Sequence, residues 1–266
     1  MQGNNDGADF VKKLFLVPKI IASVCEKVDN DLNETLAGHA LVTGSTLVGA
    51  VLLKRHLFLL NVGDSRAVGI RLSTNAGADE RGRNGPAADQ RVPTANHTQK
   101  AETEAEAEVD RFEFVQLTKD HKPNDPQEKS RIEKSGGFVT FVGVWRLNGL
   151  VAMSRAFGDT VLKAPLSGGL SATPDVFDLR DGHNLNVLLL ASDGLFDVVN
   201  NRMAAWLVAR VSAARREKGK DEETAEVDEQ LRKLSAKGSV AESLVRLALL
   251  RNSLDNVSCM LLWLDT

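Results

Sequence analysis

Residues 187–191, Val-Leu-Leu-Leu-Ala, form an apolar run with no polar alternation, and Asp193 follows two residues later. A strand with one wet face would alternate, so an unbroken run of this length reads as a strand buried in a core. A second apolar run, residues 257–264, begins two residues after Asp255. Two carboxylates delivered from strand ends can converge on one point in a sheet-based fold. Oxygen donors of that kind suit Mg²⁺ or Mn²⁺.

The rest of the chain supplies short strands and a few helices. Apolar residues recur at three- and four-residue spacing over 10–36, with a helix expected from Pro18 onward, since proline is accepted in a first turn. Residues 46–53 and 56–62 read as strands joined by a Lys54-Arg55 turn, and 67–71 continues as a third strand. A strand is expected at 112–117. A polar helix is expected at 125–135, ending on Gly136-Gly137. Short strands are expected at 138–142, 144–147 and 150–153. Helical spacing returns at 202–214 and at 240–250, where Ala241, Leu244, Val245, Ala248 and Leu249 share one face. Many short strands mixed with few helices argue an α+β fold rather than a βαβ series.

Two segments stand apart. Residues 73–110 are rich in Gly, Asn, Ala and charge and nearly lack large apolar side chains, so they cannot bury enough surface to offset their ordering entropy. They read as a disordered insertion, and residues 215–233 as a charged, solvated segment, within a single domain spanning 1–266.

At 266 residues the chain can build a core without disulfides or structural zinc. Cys25 and Cys259 lack zinc-like spacing and fit a reducing compartment, the cytoplasm or nucleus. A net charge of −3 argues against a nucleic-acid partner, and the longest apolar stretch, 47–62, is broken by Lys54-Arg55-His56 and does not read as a membrane span.

Gly44-Ser45-Thr46-Leu47-Val48-Gly49 has the glycine spacing of a phosphate loop, but Ala50 and Val51 stand where lysine and a hydroxyl residue are needed. It reads as a turn into a strand. There is no Gly-x-Ser-x-Gly elbow, and the five histidines form no ligand pattern. What remains is a set of aspartates: Asp64, Asp159, Asp193, Asp197 and Asp255. Each alone suits a turn. Converging carboxylates would repel one another without cations, so as a set they point to metal.

These residues sit in blocks that together resemble the metal-dependent protein phosphatases of type 2C. The blocks run in order: Gly44-Ser45-Thr46; Asn61-Val62-Gly63-Asp64-Ser65-Arg66; Leu117-Thr118-Lys119-Asp120-His121-Lys122-Pro123; Glu128 with Arg131-Ile132 and Gly136-Gly137; Leu150 to Asp159; Ala172-Thr173-Pro174-Asp175; Ala191 to Val199; and Asn252 to Ser258. The resemblance implies an α-β-β-α sandwich of two antiparallel sheets flanked by helices. It implies hydrolysis of phosphoserine and phosphothreonine in phosphoprotein substrates by a water activated by two or three Mg²⁺ or Mn²⁺ ions, with no side-chain nucleophile. Asp193 and Asp255 match the family's core metal ligands, and Asp64 and Asp197 match those of a further, weaker site.

The family's opening strands, with a phosphate-gripping arginine, and its Asp-Gly-His-Gly-Gly block have no clear counterpart. Asp6-Gly7-Ala8-Asp9 is the only candidate remnant, which makes Asp6 a candidate ligand, and Asn252 replaces a usual glycine. Three readings follow: an active enzyme missing its first strands, a pseudophosphatase acting as a binding module, or a site completed by another protomer or an upstream segment. Retention of Asp64, Asp193, Asp197 and Asp255 favours the first.

Overall fold

A computed structural model describes residues 13–36, 43–54, 56–72, 112–163, 168–179, 185–217 and 239–264. Asp6 and the insertion at 73–110 lie outside the described residues. The charged segment at 215–233 starts as the end of a helix and lies outside them from residue 218.

The elements run α1 (Val17–Leu36), β1 (Gly44–Ser45), β2 (Leu47–Leu53), β3 (His56–Val62), β4 (Arg66–Leu72), β5 (Phe112–Gln116), α2 (Pro126–Lys134), β6 (Val139–Val142) and β7 (Val144–Leu147). They continue with β8 (Phe157–Gly158), β9 (Asp175–Leu179), β10 (Val187–Ala191), α3 (Asp193–Phe196), α4 (Asn201–Glu217), α5 (Val240–Leu250) and β11 (Cys259–Trp263). One antiparallel sheet has the order β11-β10-β4-β5 and the other β2-β3-β9; β1–β8 and β6–β7 form small pairs.

β10 explains the layering. Its alternate residues Val187, Leu189 and Ala191 pack with Val208, Val211 and Leu244 of α4 and α5. Leu188 and Leu190 face the second sheet, meeting Leu57, Leu59 and Leu179. A strand covered on both faces has no use for polar side chains, which is why its sequence does not alternate. Behind the second sheet, Ile21 and Cys25 of α1 pack on Leu60, Val62 and Phe157. The result is the four-layer α-β-β-α sandwich that the resemblance implies.

β2 and β3 form a hairpin, with Leu53 paired to His56 and Lys54 at positive φ just beyond β2. β4 and β5 are neighbours with Leu72 opposite Phe112. Asp125 caps α2 by accepting from the backbone N–H groups of Gln127 and Glu128. Asn200 does the same for α4 through Met203 N–H.

Two expectations need correction. Residues 150–153 are not a strand. The chain reverses at Asn148-Gly149, both at positive φ, and returns only the single bridge from Val151 to Leu147. The buried face of α5 is centred on Val240, Leu244 and Ala248, while Leu249 is 57% exposed. Both runs are short and rich in small apolar residues, where spacing alone does not settle element or face. The edge strands β2 and β11 are among the exposed apolar places, with Leu52, Met260 and Trp263 open to solvent.

Candidate metal centre

Register places the aspartates. Ala191 at the end of β10 pairs with Arg66 at the start of β4 and with Cys259 at the start of β11. The residues just beyond these partners must therefore emerge at one end of the sheet. They are Asp193 in the first turn of α3, Asp64 in the β3–β4 turn, and Asp255 in the loop before β11, with Asp197 at the C-cap of α3. The Asp193 and Asp255 loops are stitched together. Ser192 Oγ donates to Asn256 O (3.2 Å) and accepts from Ser258 N (3.1 Å), and Ser253 Oγ donates to Gly194 O (2.7 Å). Gly194 is needed for this approach, since a Cβ there would lie 2.3 Å from Asn256 O.

Proximity of the four is felt at Asp193. Burial raises its carboxyl pKa first, and the charges of Asp64, Asp197 and Asp255 raise it further. Its Oδ1 accepts from Gly194 N (2.9 Å), and Asp255 Oδ1 accepts from Asn256 N (2.6 Å). Among the described residues no three Asp, Glu, His or Cys side chains stand close enough to hold a metal ion by themselves.

Asp64 is the buried member, only 3% exposed. Its Oδ2 accepts from Lys122 Nζ at 2.6 Å, and its buried Oδ1 has no hydrogen-bond partner. Burial works against the Lys122 ammonium. Asp64 first, then Asp197 and Asp120, outweigh it and hold the lysine pKa above its ordinary value. A buried carboxylate oxygen without a donor, in a residue whose charge is felt at Asp193, fits a hard cation.

The turn that carries Asp64 is pinned from the 117–122 segment. Gly63 N donates to His121 Nδ1 (3.0 Å), and His121 N donates back to Gly63 O (3.0 Å). Gly63 has φ +105°, a conformation that favours glycine, and a Cβ there would meet Thr46. Arg66 forks onto both oxygens of Asp120 (3.0 and 2.6 Å) and lies over the Phe196 ring, while Ala67 N donates to Thr118 Oγ1 (2.8 Å).

Behind His121 runs a charged relay. His121 Nε2 sits 3.2 Å from Asp175 Oδ2, and Arg155 Nη1 donates to Asp175 Oδ1 (2.8 Å). Arg155 also forks onto Glu128 Oε1, whose other oxygen accepts from Arg131 and from Ser154 Oγ. Because Nδ1 accepts from Gly63, the His121 proton belongs on Nε2, facing Asp175. The His121 ring and then the Arg155 guanidinium hold the Asp175 carboxyl at about 2. Burial alone would raise Glu128, but hydrogen bonds from Arg155, Arg131 and Ser154 prevail and hold it at about 2.

Of the sequence-derived candidates, Asp64, Asp193, Asp197 and Asp255 share the sheet end. Asp159 does not join them. It lies at φ +48° beside Gly44 and Lys163, its N–H bonded to Thr43 O, and burial raises its pKa. Sequence reading gave His121 and Lys122 no role at the site. Their signals were the place of Lys119-Asp120-His121-Lys122 in the 117–123 block of the family resemblance and its clustering of ionisable residues directly after a strand.

Fold and site together define an α-β-β-α sandwich with an acidic, oxygen-rich centre at one end of its sheets. The family model for protein phosphatase 2C matches residues 12–257, and the chain belongs to the protein phosphatase 2C family. It is 33% identical over 240 residues, 90% of this chain, to the rice protein named "Probable protein phosphatase 2C member 13, mitochondrial", of which the match covers 48%. It is 32% identical over 217 residues to the Arabidopsis thaliana "Probable protein phosphatase 2C 76", covering 82% of this chain and 36% of that one. The chain spans about half or less of these relatives. Among solved structures, serine-threonine phosphatase 2C from Toxoplasma gondii superposes with a TM-score of 0.64 at 24% identity, covering 98% of this chain and 72% of that chain. That likeness is one of fold.

Proposed function

We propose that this chain carries a metal-dependent phosphatase centre that hydrolyses phosphoserine and phosphothreonine in protein substrates. The observation that carries the reading is the convergence of Asp64, Asp193, Asp197 and Asp255 at one sheet end, with the buried Asp64 Oδ1 left without a partner. Asp193 and Asp255 would hold the core ions, and Asp64 with Asp197 a further ion, for two or three Mg²⁺ or Mn²⁺ in all. When bound, such ions supply Lewis-acid activation of water and neutralise phosphoryl charge.

The chain's own residues do the positioning. The Ser192, Ser253 and Ser258 hydrogen bonds hold the Asp193 and Asp255 loops against each other. His121 and Arg66 fix the turn that presents Asp64. Asp6 is kept as a candidate additional ligand on its Asp-Gly sequence alone. Residues 1–266 are read as one domain, with the 73–110 insertion lying between Leu72 and Phe112, which pair as neighbours in the sheet. The free thiols of Cys25 and Cys259 support a reducing compartment, cytoplasm or nucleus, while one relative's name places that relative in mitochondria. Among the described residues no helix is long and apolar enough to cross a membrane.

The test is hydrolysis of p-nitrophenyl phosphate and of a phosphothreonine peptide across a Mn²⁺ titration, with Asp193→Asn as control. That substitution removes a charge at nearly constant volume. Metal-dependent turnover lost in the variant is the expected result. Turnover that survives Asp193→Asn, or a folded wild-type chain with none, would overturn the assignment.

A further inference from the structure

We propose that Lys122 is a built-in counter-ion seated on Asp64, so that a divalent ion reaches this seat only by exchange with the lysine ammonium. The proposal rests on the metal-binding reading of the site and adds a reason for one seat to fill last. Three features carry it.

The seat cannot move to meet an ion. Asp64 lies in a turn locked by two reciprocal hydrogen bonds between Gly63 and His121, and its carboxylate is buried. Lys122, in contrast, has a side chain 39% exposed at the rim and carries its charge on a flexible stem, so the ammonium is the component free to leave.

The lysine satisfies only half of the seat. It takes Oδ2 at 2.6 Å and leaves Oδ1 buried without a donor. A single ammonium among four aspartates also leaves three formal charges uncompensated. A divalent ion serves both needs better, since oxygen-ligated cations accept several carboxylate donors at once.

Charge balance then orders the filling. Two divalent ions on Asp193 and Asp255 already balance the four carboxylates, and Lys122 still on Asp64 leaves the set with one net positive charge. A further ion entering beside the ammonium would meet net positive charge within a few ångströms, so it must expel it. The Asp64 seat therefore alternates between a lysine-closed and a metal-filled state, set by the free divalent-ion concentration. The loop that brings Lys122 here is itself anchored, through the Arg66–Asp120 fork and the Ala67–Thr118 bond, so the lysine root stays in place while its tip moves.

The experiment is calorimetric titration of the full chain with Mn²⁺ alone, with bound ions counted independently by electron paramagnetic resonance of free Mn²⁺. In Lys122→Met the weakest class of sites is expected to tighten roughly ten- to a hundredfold, the scale of releasing one charge-assisted hydrogen bond. Lys122→Arg, which keeps a cation, is expected to leave that class as weak as in wild type. Asp64→Asn is expected to remove it and spare the tighter class.

A weakest-site dissociation constant changed less than twofold in Lys122→Met overturns the proposal while leaving the metal reading intact. So does survival of that class in Asp64→Asn, which keeps the proposal testable if the lysine variant fails to fold. Absence of Mn²⁺ binding to any class in the folded wild-type chain overturns both.

Discussion

Replacing Glu128 by Gln tests whether the charged relay behind the site holds the fold. Glu128 lies in α2 with its side chain 5% exposed, and it receives hydrogen bonds from Arg131, Arg155 and Ser154. Its pKa falls from 4.5 to about 2 on folding. At about 1.4 kcal/mol per pKa unit, that depression corresponds to about 3 kcal/mol of stability at neutral pH. The cost of leaving buried charge unpaired is of the same order. The sign is that of a depressed acid: the contribution is whole above about pH 4.5 and is lost as pH falls through the folded value near 2. Glu128→Gln should therefore lose about 3 kcal/mol at pH 7 but only about 1 kcal/mol at pH 3, where the wild-type carboxylate is itself largely relieved of that advantage. Urea unfolding followed by tryptophan fluorescence at the two pH values measures both. A loss below about 1 kcal/mol at pH 7, or an equal loss at both pH values, would refute the reasoning.

Gly194→Ala forces a Cβ onto Asn256 O, a backbone atom that cannot swing aside. It should cost about 2 kcal/mol or more in chemical unfolding and weaken Mn²⁺ binding, because the loop displaced is the one carrying Asp255. Asp193→Asn should raise the melting temperature of the metal-free chain at pH 7 while abolishing the further rise that Mn²⁺ gives wild type. A raised carboxyl pKa means that the folded chain holds its proton longer, so stability falls as pH rises through that range, and removing the charge restores it. Scanning calorimetry reads the rise; a fall in melting temperature would contradict the repulsion argument.

How much of this was legible beforehand depended on how local the cause is. β10 could be read from Val187–Ala191 because burial on both faces acts on every residue of the strand. The β2–β3 hairpin could be read because its turn is two residues long. Leu150–Val151 misled because a reversal at Asn148-Gly149 rests on two positive φ values, which apolar content does not report. The α5 face was misplaced because α5 packs against α4, and the neighbour decides which side is covered. At the site, the aspartates could be picked out by their place at strand ends and by family pattern. The partners of Asp64 could not, because Lys122 and His121 each lie 58 residues from the turn they serve.

Those distant partners follow from a constraint on any site of this chemistry. Four carboxylates gathered for a cation destabilise the metal-free chain, and the raised Asp193 pKa records that strain. The scaffold must resist it without neutralising the site so fully that no cation is wanted. Here opposition comes from behind, through a chain that meets the turn at its backbone rather than its carboxylate: His121 on Gly63, Asp175 on His121, Arg155 on Asp175, and Glu128 on Arg155. Only one cation, Lys122, is hydrogen-bonded to an acidic oxygen of the set among the described residues, and it covers one oxygen of one aspartate. Loss of Glu128 should therefore register first as lost stability and loss of Lys122 first as tighter metal binding. That separation distinguishes a group that holds the turn from one that guards the seat.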